Sequence, residues 1–254
     1  MTIFVDVVGV GPKLTLLHGW GLNGGVWDGV RERLAQRYTL HIIDLPGHGF
    51  SEAQSITTMN ALVDSVAAVM PAHGHLLGWS LGGQVALELA RRHADKVGAL
   101  ILVATTPCFL QRDDWPHAVT AEVLTDFGVA LNDNAALTIK RFLALQVLNQ
   151  PQLRDTLATL QTVVAARGVP SQAALTAALT ALATNDLRAQ LQQIPHPTLV
   201  LQGSLDALTP AAAGQWLAAH LPRARYQLFA SAAHAPFLSH RDDFLAAVNG
   251  FLPP

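Results

Sequence analysis

Ser80 lies between glycines in the stretch Gly78–Gly83 (G-W-S-L-G-G). The pattern G-x-S-x-G can place a serine on a sharp turn from strand to helix, with its hydroxyl projecting above a sheet. Alone it is weak, because three fixed positions recur in many unrelated chains. A serine hydroxyl is also a poor nucleophile until a base takes its proton. Ser80 therefore needs a histidine, and the histidine needs an acid to orient it. The chain offers both in the order this kind of turn requires, acid before histidine. Asp206 stands in Q-G-S-L-D-A-L-T-P, past an apolar run beginning at Thr198, and His234 stands in S-A-A-H-A-P-F, past a run beginning at Ala224. In isolation Asp206 would be a turn or helix-capping aspartate, and His234 an ordinary loop histidine. Ordered together, each after a strand, they are expected to act with Ser80.

Serine acyl transfer also needs two preorganised N–H donors for the developing oxyanion. One is expected from Leu81, the residue after the nucleophile. The other is expected from the loop L-L-H-G-W-G, where Trp20 is the candidate amide and Gly19 and Gly21 let the chain approach closely. His18 is expected to brace that loop by hydrogen bonds rather than transfer protons. Trp20 and Trp79 flank the nucleophile and are expected to wall the acyl pocket.

These residues need a frame. Apolar runs begin at Leu14, Leu40, His75, Ala99, Thr198 and Ala224, each ending in a glycine, proline or polar turn. Such near-continuous runs suit parallel strands buried on both faces. Helix-like segments alternate with them, among them Gln84–Ala94, with Glu88, Arg91 and Arg92 on one face, and Asp242–Phe251. The alternation predicts an α/β fold with a mostly parallel, doubly wound sheet. Residues 109–190 break the rhythm: they lack a strand run, are rich in Ala, Leu, Thr and Gln, and are punctuated by Pro116, Pro151 and Pro170. They are expected to form a cap of three or four helices inserted into a core made of 1–108 and 191–254, over the carboxyl edge of the sheet.

Composition narrows the classes. The chain has 254 residues, 50% of them apolar and 13% charged, which fits one large globular domain. A formal net charge of −2 argues against a general nucleic-acid binder. The single cysteine, Cys108, excludes an intrachain disulfide framework and is expected to be a small buried hydrophobe in a reducing compartment. The start, with Asp6 and no basic region, does not read as a secretory signal, and no apolar run approaches the ~20 residues of a membrane span. A cytoplasmic monomer is expected, with no membrane partner. His73 and His75 form an H-x-H with no completing ligand pattern, Asp44 reads as structural, and phosphate-loop and dinucleotide motifs are missing. No metal or cofactor is expected.

The residues quoted above resemble the α/β-hydrolase superfamily along nearly the whole chain. L-L-H-G-W-G-L-N, L-G-W-S-L-G-G, T-P-C-F, D-D-W-P, K-R-F-L-A-L-Q and A-A-H-A-P-F-L-S-H together resemble the pimeloyl-acyl-carrier-protein methyl ester esterases of biotin synthesis. The resemblance implies a serine carboxylesterase that cleaves a methyl ester from a carrier-bound pimeloyl chain and releases methanol. It places Ser80, Asp206 and His234 on the catalytic triad and Trp20 and Leu81 on the oxyanion donors. Trp79 and Phe142 fall on substrate-contacting positions. It also implies arginines on the cap that meet an acidic carrier protein. Arg141 matches such a position, with Lys140 and Arg154 beside it, and residues 140–167 hold Lys140, Arg141, Arg154 and Arg167 against Asp155 alone. Leu137 stands where another arginine is expected. Two other readings stay open: a broad short-chain carboxylesterase without a carrier, and a hydrolase-like receptor that traps a small ligand.

Overall fold

The computed structural model describes residues 2–52, 56 and 58–253. Among them, seven strands form one sheet: β1 (Val5–Val8), β2 (Lys13–Leu17), β3 (Thr39–Ile43), β4 (Gly74–Trp79), β5 (Val97–Val103), β6 (Thr198–Gly203) and β7 (Ala224–Phe229). Their order is β1-β3-β2-β4-β5-β6-β7, and every pair is parallel except β1 with β3. The six apolar runs are the six parallel strands. All six residues of β6 are buried, so neither face of the sheet meets water there. β1 was not anticipated. It is a four-residue edge strand whose outer Val7 is 56% exposed, too short to carry an alternating signal before the turn at Gly9–Gly11.

The helices are α1 (Asp28–Ala35), α2 (Met59–Val69), α3 (Leu81–Arg92), α4 (Ala121–Asp133), α5 (Ala135–Leu145), α6 (Leu153–Arg167), α7 (Gln172–Thr184), α8 (Ala211–His220), α9 (Pro236–Ser239) and α10 (Arg241–Phe251). α1 packs on β3, α3 on β4 and β5, and α8 on β6 and β7. α3 begins immediately after Ser80, three residues earlier than its apolar periodicity suggested, because Gly82 and Gly83 hide its first turn. Glu88 of α3 is not on a solvated face: α2 packs over the helix, and the buried Glu88 carboxylate is held by Arg91 at 2.8 Å.

Parallel pairing fixes where the loops meet. β2 and β4 are neighbours, with Leu17 opposite Gly78, so the loop after β2 and the turn after β4 emerge side by side. The chain passes from β2 to β3 on one side and to β4 on the other, which makes this a topological switch point, the usual place for a ligand. β6 and β7 pair up to Gly203–Phe229 and deliver their following loops to the same edge.

Four helices, α4 to α7, lie between β5 and β6 in the chain. α7 packs against α2, and α6 against the short 3-10 turn Gly24–Trp27 that follows β2. Arg167, at the end of α6, reaches the fully buried Asp44 with 3.1 Å contacts to both carboxylate oxygens. Asp44 Oδ1 also accepts the Gly24 amide at 2.6 Å and Oδ2 the Phe50 amide at 2.9 Å. Asp44 is thus a hub joining three segments. Arg167 is consequently not part of an exposed basic face, which corrects the cluster counted from residues 140–167.

Candidate active site

Ser80 sits at φ 54°, ψ −116°, a conformation that costs a non-glycine residue roughly 1–3 kcal/mol and persists only where the surroundings enforce it. They do so here. The Ser80 amide donates to Val103 O at 3.0 Å, and Ser80 O accepts Thr105 Oγ1 at 2.7 Å and the Gly83 amide at 2.9 Å. Tight packing behind the turn explains the flanking glycines. A side chain at Gly78 would land on the carbonyl of Gly82, and a Cβ at Gly82 would lie 2.5 Å from Leu17 O. The serine itself stays half-buried, open to the space above the sheet.

Past β6, Asp206 is buried and held by five donors. Its Oδ1 accepts the amides of Leu208 and Thr209, both at 2.9 Å. Its Oδ2 accepts Gln202 Nε2 at 2.9 Å, Thr209 Oγ1 at 2.8 Å and His234 Nδ1 at 2.8 Å. With Nδ1–H committed to Asp206, the His234 lone pair is on Nε2. The His234 main chain is held on both sides: its amide donates to Gln146 O at 3.1 Å, and its carbonyl accepts the Trp79 indole N–H at 2.8 Å. Among the described residues no direct hydrogen bond joins Ser80 Oγ to His234; in such sites that bond commonly tightens only when substrate is bound.

Beside Ser80, two buried amides stand unused. Among the described residues, the N–H groups of Trp20 and Leu81 donate to no acceptor within the protein. Buried unpaired amides are rare, and a helix N-terminus next to a reacting carbonyl is where they stabilise negative charge. The Gly19–Trp20 peptide is oriented by His18, whose Nδ1–H donates to Gly19 O at 2.8 Å while its Nε2 accepts the Leu45 amide at 2.9 Å. In a trans peptide the N–H points opposite the C=O, so fixing Gly19 O also aims the Trp20 amide. His48 braces the next peptide, with its Nε2 accepting the Gly21 amide at 3.4 Å and Nδ1–H donating to Pro46 O at 3.0 Å.

Both brace histidines work only when neutral. Burial lowers the pKa of His18, against the opposing pull of Asp44. Burial and the neighbouring His18 lower that of His48 to about 3. On unfolding, both return toward their ordinary value near 6.5, so below that pH the unfolded chain binds protons that the folded chain does not. Stability is therefore expected to fall as pH drops from about 6.5 toward 4, by up to about 1 kcal/mol per pH unit through His48, with His18 acting in the same direction. Urea unfolding across that range tests this, and His48→Gln should flatten the slope.

A cavity of about 230 Å³ opens above the serine. Trp20, Phe127, Phe142, Leu145, Leu182 and Leu208 are among its walls, and Ser80 lies on it. Trp20 meets Phe142 and Phe127 edge-on at 5.0 and 5.3 Å. Apart from Ser80 the lining is apolar, suited to an acyl chain. Two expectations are revised. Trp79 does not line this cavity; it is fully buried behind the serine, packed on Phe237 and Trp27 at 4.9 and 6.5 Å, and supports the histidine loop. The Leu81 side chain is likewise fully buried, so only its backbone faces the site. Lys140, Arg141 and Arg154 lie on the exposed outer surface of α5 and α6, away from the cavity lining and without an ion pair among the described residues.

Sequence reasoning missed Thr209, Thr105 and Gln202, which lock the acid and the nucleophile turn. Only Thr209 left a trace, as a hydroxyl three positions after an aspartate, a spacing that favours local side chain to backbone bonds. Among the described residues no group of three His, Cys, Asp or Glu gathers for a metal, and no helix is long and apolar enough to cross a membrane.

Known proteins share this architecture. The family model of the α/β hydrolase fold matches residues 12–241. Two relatives named pimeloyl-acyl-carrier-protein methyl ester esterase, from Nitrosomonas europaea and Chromobacterium violaceum, are 43% and 44% identical over 248 residues. The matches cover 98% of this chain, and 98% and 97% of those proteins. Among solved structures, a hydrolase from Pseudomonas aeruginosa PA01 is 25% identical with a TM-score of 0.84, over 99% of this chain and 94% of that one. The enol-lactonase of Burkholderia xenovorans LB400 shares the fold at 23% identity and a TM-score of 0.87, over 98% and 95% of the two chains. The chain belongs to the α/β-hydrolase fold family and, within it, to the family of these methyl ester esterases.

Proposed function

We propose that this protein is a serine carboxylesterase that hydrolyses the methyl ester of a pimeloyl chain carried on acyl-carrier protein, releasing methanol. In this reading residues 109–190 are a helical cap on a core of 1–108 and 191–254, and the enzyme works in the cytoplasm. The observation that carries the chemistry is the Asp206–His234 contact of 2.8 Å beside a strained Ser80 with two unused amides. The relatives' names supply the substrate class.

Ser80 Oγ attacks the ester carbonyl as His234 Nε2 takes its proton. The carbonyl oxygen, now negative, is held by the Trp20 and Leu81 amides. Collapse of this adduct expels methoxide, which leaves as methanol with the proton from His234. Water, deprotonated by His234, then attacks the Ser80 ester, and the acid is released with Ser80 restored. Asp206 keeps the proton on Nδ1 throughout. The apolar walls formed by Trp20, Phe142 and Phe127 hold the methylene chain.

Carrier recognition rests on Lys140, Arg141 and Arg154, which are exposed, have no ion pair among the described residues and can steer an acidic partner. Leu137, 42% exposed one turn before Arg141, adds an apolar contact. With Arg167 committed to Asp44, this basic set is small, which is the observation favouring the alternative of a broad short-chain esterase. The two separate cleanly. Arg141→Glu is expected to lower kcat/KM about tenfold on the carrier-bound methyl ester, with less than twofold change on p-nitrophenyl butyrate. Equal effects on both substrates would favour the broad esterase.

A further inference from the structure

The two loops that flank Ser80 are both hydrogen-bonded to the segment between β5 and β6, one to the turn after α5 and the other to α6 and α7. Just after α5, Gln150 Oε1 accepts the Ala233 amide at 3.3 Å, next to the Gln146 O contact with His234. Ala232 O accepts the Leu205 amide at 2.8 Å, so the peptide before Ala233 is pinned by the core at one end and by Gln150 at the other. Across the site, Asn23 Nδ2 donates to Val163 O in α6 at 3.1 Å, and the Trp20 indole N–H donates to Leu175 O in α7 at 2.9 Å. Asn23 Oδ1 simultaneously accepts the Gly25 amide at 3.0 Å. Gln150 is 4% exposed, and among the described residues its Nε2 has no partner.

We propose that Gln150 and Asn23 are positioning residues, through which the inserted helices hold the histidine loop and the oxyanion loop in register with Ser80. The helices are then part of the catalytic frame as well as the wall of the acyl cavity. This rests on the proposed roles of His234 and of the Trp20 amide. A helical lid that only shapes the cavity would influence long acyl chains through KM. A lid that positions the base and the oxyanion donor must influence kcat, even for an acyl group too short to fill the cavity.

The test is steady-state hydrolysis of p-nitrophenyl acetate by the full-length protein carrying Gln150→Met or Asn23→Ser. Methionine matches glutamine in size without the strong acceptor. Serine keeps an acceptor for Gly25 but is too short to reach Val163. Each variant is expected to lose kcat roughly tenfold, with KM changed less than about twofold, since small displacements of reacting groups act on the chemical step. Unchanged kcat in the folded variants, with or without a lower melting temperature, would overturn the proposal. His234→Ala runs alongside: if it is inactive while Gln150→Met is fully active, only this inference fails. An active His234→Ala would overturn the functional reading beneath it. If one variant does not fold, the other decides.

Discussion

Ser80→Ala is expected to lower kcat on p-nitrophenyl butyrate by about 10⁴-fold or more while leaving the melting temperature within a few degrees. The substitution removes one oxygen. The bonds that hold the turn, from the Ser80 amide to Val103 and from Thr105 and Gly83 to Ser80 O, involve only backbone atoms of this residue. Alanine takes the same strained φ with no larger side chain, so the fold stays. What remains should be a small residual rate from the Trp20 and Leu81 amides and the apolar cavity, which still bind the ester without a nucleophile. Turnover and calorimetry on the same sample check both halves. Wild-type turnover in the mutant would remove Ser80 from the mechanism.

Asp206→Asn is expected to cost about as much, roughly 10⁴-fold in kcat, with little change in KM. The hydrogen-bond pattern dictates the reason. Oδ1 faces two backbone donors, Leu208 and Thr209, so an asparagine there must keep its oxygen on that side. Its NH₂ then occupies the Oδ2 position, facing His234 Nδ1, Gln202 Nε2 and Thr209 Oγ1. The imidazole answers by carrying its proton on Nε2, and the lone pair that must accept the Ser80 proton is lost. Substrate still binds in the cavity, whose lining includes neither the Asp206 carboxylate nor the His234 ring. A loss of less than tenfold would show that the tautomer is not controlled by Asp206.

Much of this frame was legible from residue order because parallel strands buried on both faces leave long apolar runs, and six of these mark β2 to β7. The positions of Ser80, Asp206 and His234 followed from the same runs, since loops at the carboxyl ends of parallel strands converge whatever their separation in sequence. β1 was not legible, because an exposed four-residue edge strand carries almost no pattern. Trp79 was misplaced for a different reason. Adjacency to the nucleophile fixes where the backbone goes, but alternation along β4 turns its ring away from the cavity, onto Trp27 and Phe237. The count of cap arginines failed at Arg167 because charge in a list carries no partner. Asp44, 123 positions away, claims it. Bonds such as Gln150 to Ala233 have no sequence signature, since a glutamine in a polar turn looks solvated until the fold buries it.

The central claim is that Ser80 becomes acylated during turnover. Acid quenching of the enzyme within the first turnovers of p-nitrophenyl butyrate, followed by peptide mass mapping, tests it most directly. The account predicts a butyryl ester on Ser80, absent from Ser80→Ala. A butyryl group on any other residue during turnover, with Ser80 unmodified, would contradict it.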